Sequence, residues 1–235
     1  MALAAVAAFA GAAVQSATGF GFALVLSPAL FAVMDPVEAV TALLALGLAL
    51  NLLVLFEGGR PEHVDWRALA PMLAAALPGL AVGAVALTQL SKEALQVTVG
   101  VAVILAAGWQ QRAAGPRLSP WAAGFASGAL TTSISVSGPP LVLWLTGRRV
   151  EPQEFRASLA ASFLVLNVAG GAVLLGAEGS GAFDAGAVAL LLVLVVVGYA
   201  VGALAFRRLD RERFFKLVLV LVALTGLASV VAGLA

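Results

Sequence analysis

A chain of 235 residues that is 62% hydrophobic and 11% charged, with a mean hydropathy of +1.08, falls far short of the roughly 25% charged residues of a soluble domain. It reads as a polytopic protein of the lipid bilayer, and its formal net charge of +1 offers no footing for nucleic acid. With no Cys and a single His (His63), thiolate metal sites are excluded and a Ser-His pair is hard to assemble, so neither enzyme chemistry nor a metal or cofactor is expected.

The apolar, small-residue-rich start has no Lys or Arg before Arg60 and is read as structure rather than as a secretory signal. Residues 2–34 do not fit one crossing. At about 1.5 Å per residue they would run to roughly 50 Å, against a hydrocarbon core of about 30 Å. Their interruption is Thr18, Gly19, Phe20, Gly21. Plain spans follow at 38–56, 68–90 and 94–111, and then a Gly-Pro joint at Gly115 and Pro116. The next segment, 120–147, is broken by ten residues, 131–140, that hold five hydroxyl side chains, one glycine and two prolines between apolar runs. Plain spans return at 157–176, 185–206 and 214–234. Non-helical backbone at membrane depth is tolerated only where protein buries it or a polar cavity meets it. Broken helices of this kind form the central sites of secondary transporters.

The chain also matches itself. An offset of 116 places Phe9 on Phe125, Gly19 and Gly21 on Ser135 and Ser137, Asp35-Pro36 on Glu151-Pro152, Glu38 on Glu154 and Asn51 on Asn167. After a three-residue slip an offset of 119 pairs Asp65 with Asp184, Gly79 with Gly198 and Gly83 with Gly202. Two halves are implied, 1–112 and 119–235, each a broken helical hairpin followed by three transmembrane helices in an all-α fold. If each broken segment turns back at its break, every arginine-bearing loop lies on one side and Lys92 alone lies opposite, as the positive-inside rule prefers. The halves are then inverted repeats with both chain ends outside the cytoplasm.

Gly11, Thr18-Gly19-Phe20-Gly21 and Pro28, with Gly124 to Gly128 and Ser137-Gly138-Pro139-Pro140 in the second half, resemble the glycine-rich broken segments of the TauE/SafE sulfite exporter family. The resemblance covers the whole chain, and departs where Phe22 and Ala23 stand in places that are often glycine. It implies a cytoplasmic-membrane transporter that exports a small sulfur anion, sulfite or an organosulfonate such as sulfoacetate.

The residues themselves agree with an anion. Apart from Lys216, at the start of the last one, no Lys or Arg falls within a predicted span, so backbone N–H groups and the positive ends of half-helices starting near Gly21 and at Pro139 or Pro140 are expected to hold it. The candidate binding residues are Gln15, Thr18, Gly19, Phe20, Gly21, Asn51, Thr131, Thr132, Ser133, Ser135, Ser137, Gly138, Pro139 and Asn167. The plainer alternative is that these hydroxyls bond to their own helices and the glycines pack helices. Asp35, Glu38, Glu151 and Glu154 read as helix-start carboxylates. Trp66, Trp109, Trp121 and Trp144 read as interfacial anchors. The Gly79/Gly83 and Gly198/Gly202 spacings suit close helix packing or a homodimer face. An anion channel of the same fold is the first rival function, and a membrane scaffold or intramembrane enzyme the second.

Overall fold

Each interruption ends one helix and starts another. In a computed structural model that describes residues 2–31, 33–57, 64–91, 94, 118–148, 150–178, 185–206, 210 and 212, the elements are α1 (Ala2–Thr18), α2 (Phe22–Phe31), α3 (Pro36–Leu55), α4 (Trp66–Gln89), α5 (Pro120–Ile134), α6 (Gly138–Arg148), α7 (Pro152–Glu178) and α8 (Ala185–Phe206). No strand occurs among the described residues. The expected spans 94–111 and 214–234, His63, Lys92 and Trp109 lie outside them. Pro36, Pro120 and Pro152 each open a helix, where the missing N–H has no helical acceptor to lose. Ser119 and Asp65 cap α5 and α4 by accepting from Ala122 N and Ala68 N, both at 3.1 Å. Asp35 stands at the cap of α3 without a capping hydrogen bond, so its contribution is through the helix dipole.

Among the described residues three helices, 36–55, 66–89 and 152–176, are long and apolar enough to cross a membrane. Their outward faces are apolar. Leu77, Val82 and Val85 of α4 are exposed, and so are Val196, Val201 and Leu204 of α8, the residues 119 positions further on. A lipid solvent explains such faces, because hydrocarbon exacts no penalty from an exposed Leu or Val.

The tightest packing joins the broken helix of each half to a plain helix of the other. A Cβ on Gly79 or Gly83 of α4 would overlap the carbonyl oxygens of Phe125 and Ala129 on α5. A Cβ on Gly198 or Gly202 of α8 would overlap those of Phe9 and Ala13 on α1. These contacts repeat at the 116 and 119 offsets. So do their flanking hydrogen bonds: Thr132 Oγ1 donates to Leu80 O at 2.7 Å, and Ser16 Oγ donates to Tyr199 O at 2.9 Å. Because Gly124, Gly128 and Thr132 meet Met72, Ala76 and Leu80 in rising order, α4 and α5 run parallel. Phe9 and Ala13 against Gly198 and Gly202 make α1 and α8 parallel too. The glycine faces are therefore filled inside the chain by close helix packing, the first of the two readings, and the alternative of a homodimer face is corrected.

α3 and α7 run antiparallel. Gly47 meets Asn167 near their middles, and Glu57, just past the end of α3, pairs with Arg156 at the start of α7 at 2.8 Å. A second ion pair, Arg148 to Asp65 at 3.2 Å, joins the end of α6 to the start of α4. The same Arg148 stacks 5.3 Å from the ring centroid of Trp144, which is buried. Trp144 is thus a core residue beneath an arginine and not an interfacial anchor, whereas Trp66 and Trp121 are exposed at helix starts.

Candidate functional site

The first break is built from backbone that an L side chain resists. Gly19 has φ +91° and Gly21 φ +113°, with the fully buried Phe20 between them. The Thr18 hydroxyl, 2.8 Å from Val14 O and 2.9 Å from Phe20 O, has one proton for two carbonyls and holds the end of α1 against the turn. α2 then begins at Phe22, whose N–H donates to Gln15 Oε1 at 3.1 Å. Gln15 passes the connection on, because its Nε2 donates to Asn51 Oδ1 at 2.7 Å. The side-chain amide of one helix thus fixes both the start of the next half-helix and an asparagine on α3. Replacing Gln15 by Leu leaves the buried Phe22 N–H and Asn51 Oδ1 without partners, and is expected to lower stability by about 2–4 kcal/mol, read by thermal unfolding in detergent. A loss below about 0.5 kcal/mol would show that the network does not hold the break.

The second break is shorter than its sequence implies. α5 continues to Ile134, and Ser135 ends it at φ 60°, ψ 23°, the left-handed conformation that closes many helices. Ser135 N donates to Thr131 O at 3.0 Å and Val136 N to Leu130 O at 3.1 Å. Ser135 stands at the position equivalent to Gly19, so both breaks turn at the same place with positive φ. α6 begins at Gly138, one residue ahead of the expected Pro139. Pro139 and Pro140 fill its first turn, where no helical N–H bond is lost.

The two breaks meet. Phe20 packs across from Gly138, its ring 3.5 Å from where a Cβ on that glycine would stand, and Phe163 of α7 is 3.7 Å from the same point. Beside them lies a small cavity, part of it open. Gly21, Phe22, Ala23 and Leu24 line it from the first break, and Ser135, Val136, Ser137 and Gly138 from the second. Gln15 closes one flank, Leu43, Gly47 and Asn51 of α3 form one wall, and Phe163 and Asn167 of α7 form another. Gly21 and Ser137, Phe22 and Gly138, Gly47 and Phe163, and Asn51 and Asn167 are equivalent pairs, so both halves build it from corresponding positions.

Seven of the candidates line this cavity: Gln15, Gly21, Asn51, Ser135, Ser137, Gly138 and Asn167. The other seven are placed elsewhere. Thr131 Oγ1 donates to Ser127 O and Ser133 Oγ to Ala129 O, both at 2.7 Å and both back along their own helix. Thr132 is engaged with α4 and Thr18 with the first turn, as above. Gly19 packs on Arg156 and Leu159, Phe20 is core, and Pro139 lies in the first turn of α6 without lining the cavity. Sequence reasoning missed the other seven lining residues, Phe22, Ala23, Leu24, Leu43, Gly47, Val136 and Phe163, whose side chains carry no polar signal. Gly47 is small because a Cβ there would sit 2.8 Å from the Asn167 side-chain amide. Asn167, with its amide set to satisfy both ends, donates to Phe163 O at 3.3 Å and accepts from Leu48 N at 3.1 Å.

The cavity is uncharged yet rich in donors. No ionisable side chain lines it. The Ser135 and Ser137 hydroxyls and the Asn51 Nδ2 make no hydrogen bond to the described residues. The first-turn amides of Ala23 and Leu24 on α2, and of Gly138 on α6, have no acceptor within their own helices. Both half-helices present a positive dipole end of about half an elementary charge to this space. That set attracts an anion and repels a cation. One buried cation lies outside the cavity: Arg156, expected in a loop before a span beginning at 157, stands inside α7 with its side chain 8% exposed.

The model of the family described as "Sulfite exporter TauE/SafE" matches residues 3–229. A protein named as a probable sulfite/organosulfonate exporter TauE, from Cupriavidus necator, is 31% identical over 167 residues, taking in 66% of this chain and 64% of that relative. The match therefore spans just under two thirds of the relative's length. No solved structure matches.

Proposed function

Since the chain belongs to the TauE/SafE sulfite exporter family, we infer that it carries a small sulfur-containing anion, sulfite or an organosulfonate such as sulfoacetate, out across the cytoplasmic membrane. It does so by alternating access around the cavity between the two breaks. The observation that carries this reading is the meeting of two half-helix N-termini, with unengaged hydroxyl and amide donors, at one uncharged cavity. A sulfur oxyanion offers several acceptor oxygens and no donor when ionised, which matches a wall of donors. The relative's printed name agrees with that chemistry.

Inverted repeats supply the motion. The Glu57–Arg156 and Asp65–Arg148 pairs put the end of α3, the start of α4, the end of α6 and the start of α7 at one face. α5 runs parallel to α4 and so starts from that face, to which α6 returns. α8 starts opposite, α1 runs parallel to it, and α2 leads to the start of α3, so the first hairpin enters and leaves from the other face. Arg67, Arg148 and Arg156 lie at the first face, with Asp35, Glu38 and Glu178 at the second. Positive residues favour the cytoplasm, so the second hairpin opens inward and the first outward.

The test is calorimetric binding by the purified protein of sulfite, sulfate, sulfoacetate, taurine, acetate and chloride. A sulfur anion is expected to bind selectively. Ser137→Leu, which replaces a donor with a bulky apolar chain in the cavity wall, is expected to weaken binding about tenfold or more. Ser133→Ala, whose hydroxyl is engaged by Ala129 O, is expected to leave affinity unchanged. Binding of none of the six anions, or binding indifferent to Ser137→Leu, would refute the assignment.

A further inference from the structure

The two halves differ most in chemistry beside the first break. Arg156 packs its Cα and Cγ within 3.1–3.3 Å of where a Cβ on Gly19 would stand, and its Nη2 pairs with Glu57 at 2.8 Å. The equivalent residue in the first half is Val40, fully buried and apolar. A duplicated framework thus carries a buried cation on one approach to the cavity and none on the other. Ionisable side chains within a membrane protein are costly, and they mark substrate routes more often than they stabilise. Their positions define the route. Arg156, Phe163 and Asn167 stand at i, i+7 and i+11, one face of α7, so Arg156 lies about 10 Å along the axis from the cavity wall. Glu57 lies six residues beyond Asn51 of the opposite wall. Both charges therefore sit at the cytoplasmic end of the corridor between α3 and α7.

Resting on the transport reading above, we propose that Arg156 is the docking residue for the anion on its cytoplasmic approach, and that Glu57 occupies its guanidinium until the anion displaces it. The chemistry is an exchange of like for like. A carboxylate and a sulfite or sulfonate present similar pairs of oxygens to the planar guanidinium fork. Trading one for the other leaves no buried charge unpaired at any stage, provided that the released Glu57, 21% exposed while paired, turns to solvent. The cavity then receives the anion at its neutral donors, where weaker binding permits release. One-sided placement of the cation makes capture stronger from the cytoplasm than from outside, as export requires.

The test measures uptake of labelled sulfite by inside-out vesicles, whose outer surface is the cytoplasmic face, across four forms of the full chain. Glu57→Gln removes the competitor and is expected to lower KM about threefold to tenfold. Arg156→Lys keeps a point charge without the fork and is expected to raise KM moderately. The double variant Glu57→Gln, Arg156→Gln removes both charges, leaves none buried without a partner, and is expected to fold normally while raising KM about tenfold. Were the pair purely structural, Glu57→Gln would weaken transport as Arg156→Lys does, and the double variant would keep the wild-type KM. Either result overturns the docking role while leaving the cavity assignment standing. Wild-type vesicles that take up neither labelled sulfite nor labelled sulfoacetate, although the protein is folded, would overturn the transport reading and this role together.

Discussion

Gly83→Ala is expected to destabilise the protein by about 3 kcal/mol or more, although the same substitution in the middle of an unconstrained helix gains about 1 kcal/mol. The added methyl has nowhere to go. It would overlap the Ala129 carbonyl oxygen and the Thr132 hydroxyl, both held by helix geometry or by the bond to Leu80 O. Relief requires α4 and α5 to separate, and that pulls away the helix leading to the second break. Gly202→Ala should cost as much, since Ala13 O and the Ser16 Cβ stand at the corresponding places on α1. Gly171 in α7 has nothing within 4 Å of a new Cβ, so Gly171→Ala is expected to raise stability by about 0.5–1 kcal/mol. Thermal unfolding of the three variants in one detergent provides the comparison. Equal effects at Gly83 and Gly171 would contradict the parallel seating of α5 on α4.

That coupling explains what the sequence revealed and what it withheld. The breaks were legible because Thr, Ser, Gly and Pro inside apolar runs cannot be lipid-facing helix. The recurrence of contacts at offsets of 116 and 119 was legible because Asn51 and Asn167, and the glycine pairs, keep their spacing. The span at 185–206 coincides with α8 because its ends are marked by composition. The hydroxyls were harder. A ten-residue polar stretch does not say where the helix stops, and α5 runs through Thr131, Thr132 and Ser133 before turning at Ser135. Helical geometry then puts Thr131 and Ser133 over their own i−4 carbonyls, leaving Ser135 and Ser137 as the unengaged pair. Gln15 was visible, but not its central place, because Asn51 lies 36 residues away and only folding joins them. Arg156 was obscured by hydropathy itself. A span sought by apolarity begins after the charge, whereas α7 begins at Pro152 and carries the arginine inside.

Gly21→Ser copies into the first break the residue that the second break has at the equivalent position, and it is expected to be costly in both stability and binding. At φ +113° Gly21 lies beyond the left-handed helical region that an L residue tolerates, and a Cβ there would stand 2.9 Å from Val14 Cγ1. Strain of about 2–3 kcal/mol would be relieved by rotating the start of α2, which withdraws the Ala23 and Leu24 amides from the cavity. Anion affinity should then fall about tenfold or more, since a donor set works only when its dipoles converge. Ser135→Gly separates the two effects. Its φ of 60° is allowed but mildly strained for serine, so glycine there should raise or preserve stability, by up to about 1 kcal/mol. Yet it removes a cavity hydroxyl and should weaken anion binding by about 0.5–1.5 kcal/mol. Opposite signs for stability and affinity at Ser135, and the same sign at Gly21, would locate the function in the donors and the fold in the backbone turn that aims them. If Ser135→Gly bound sulfite as tightly as the parent, the hydroxyl would have no part in the site, and the anion would be held by the half-helix amides alone.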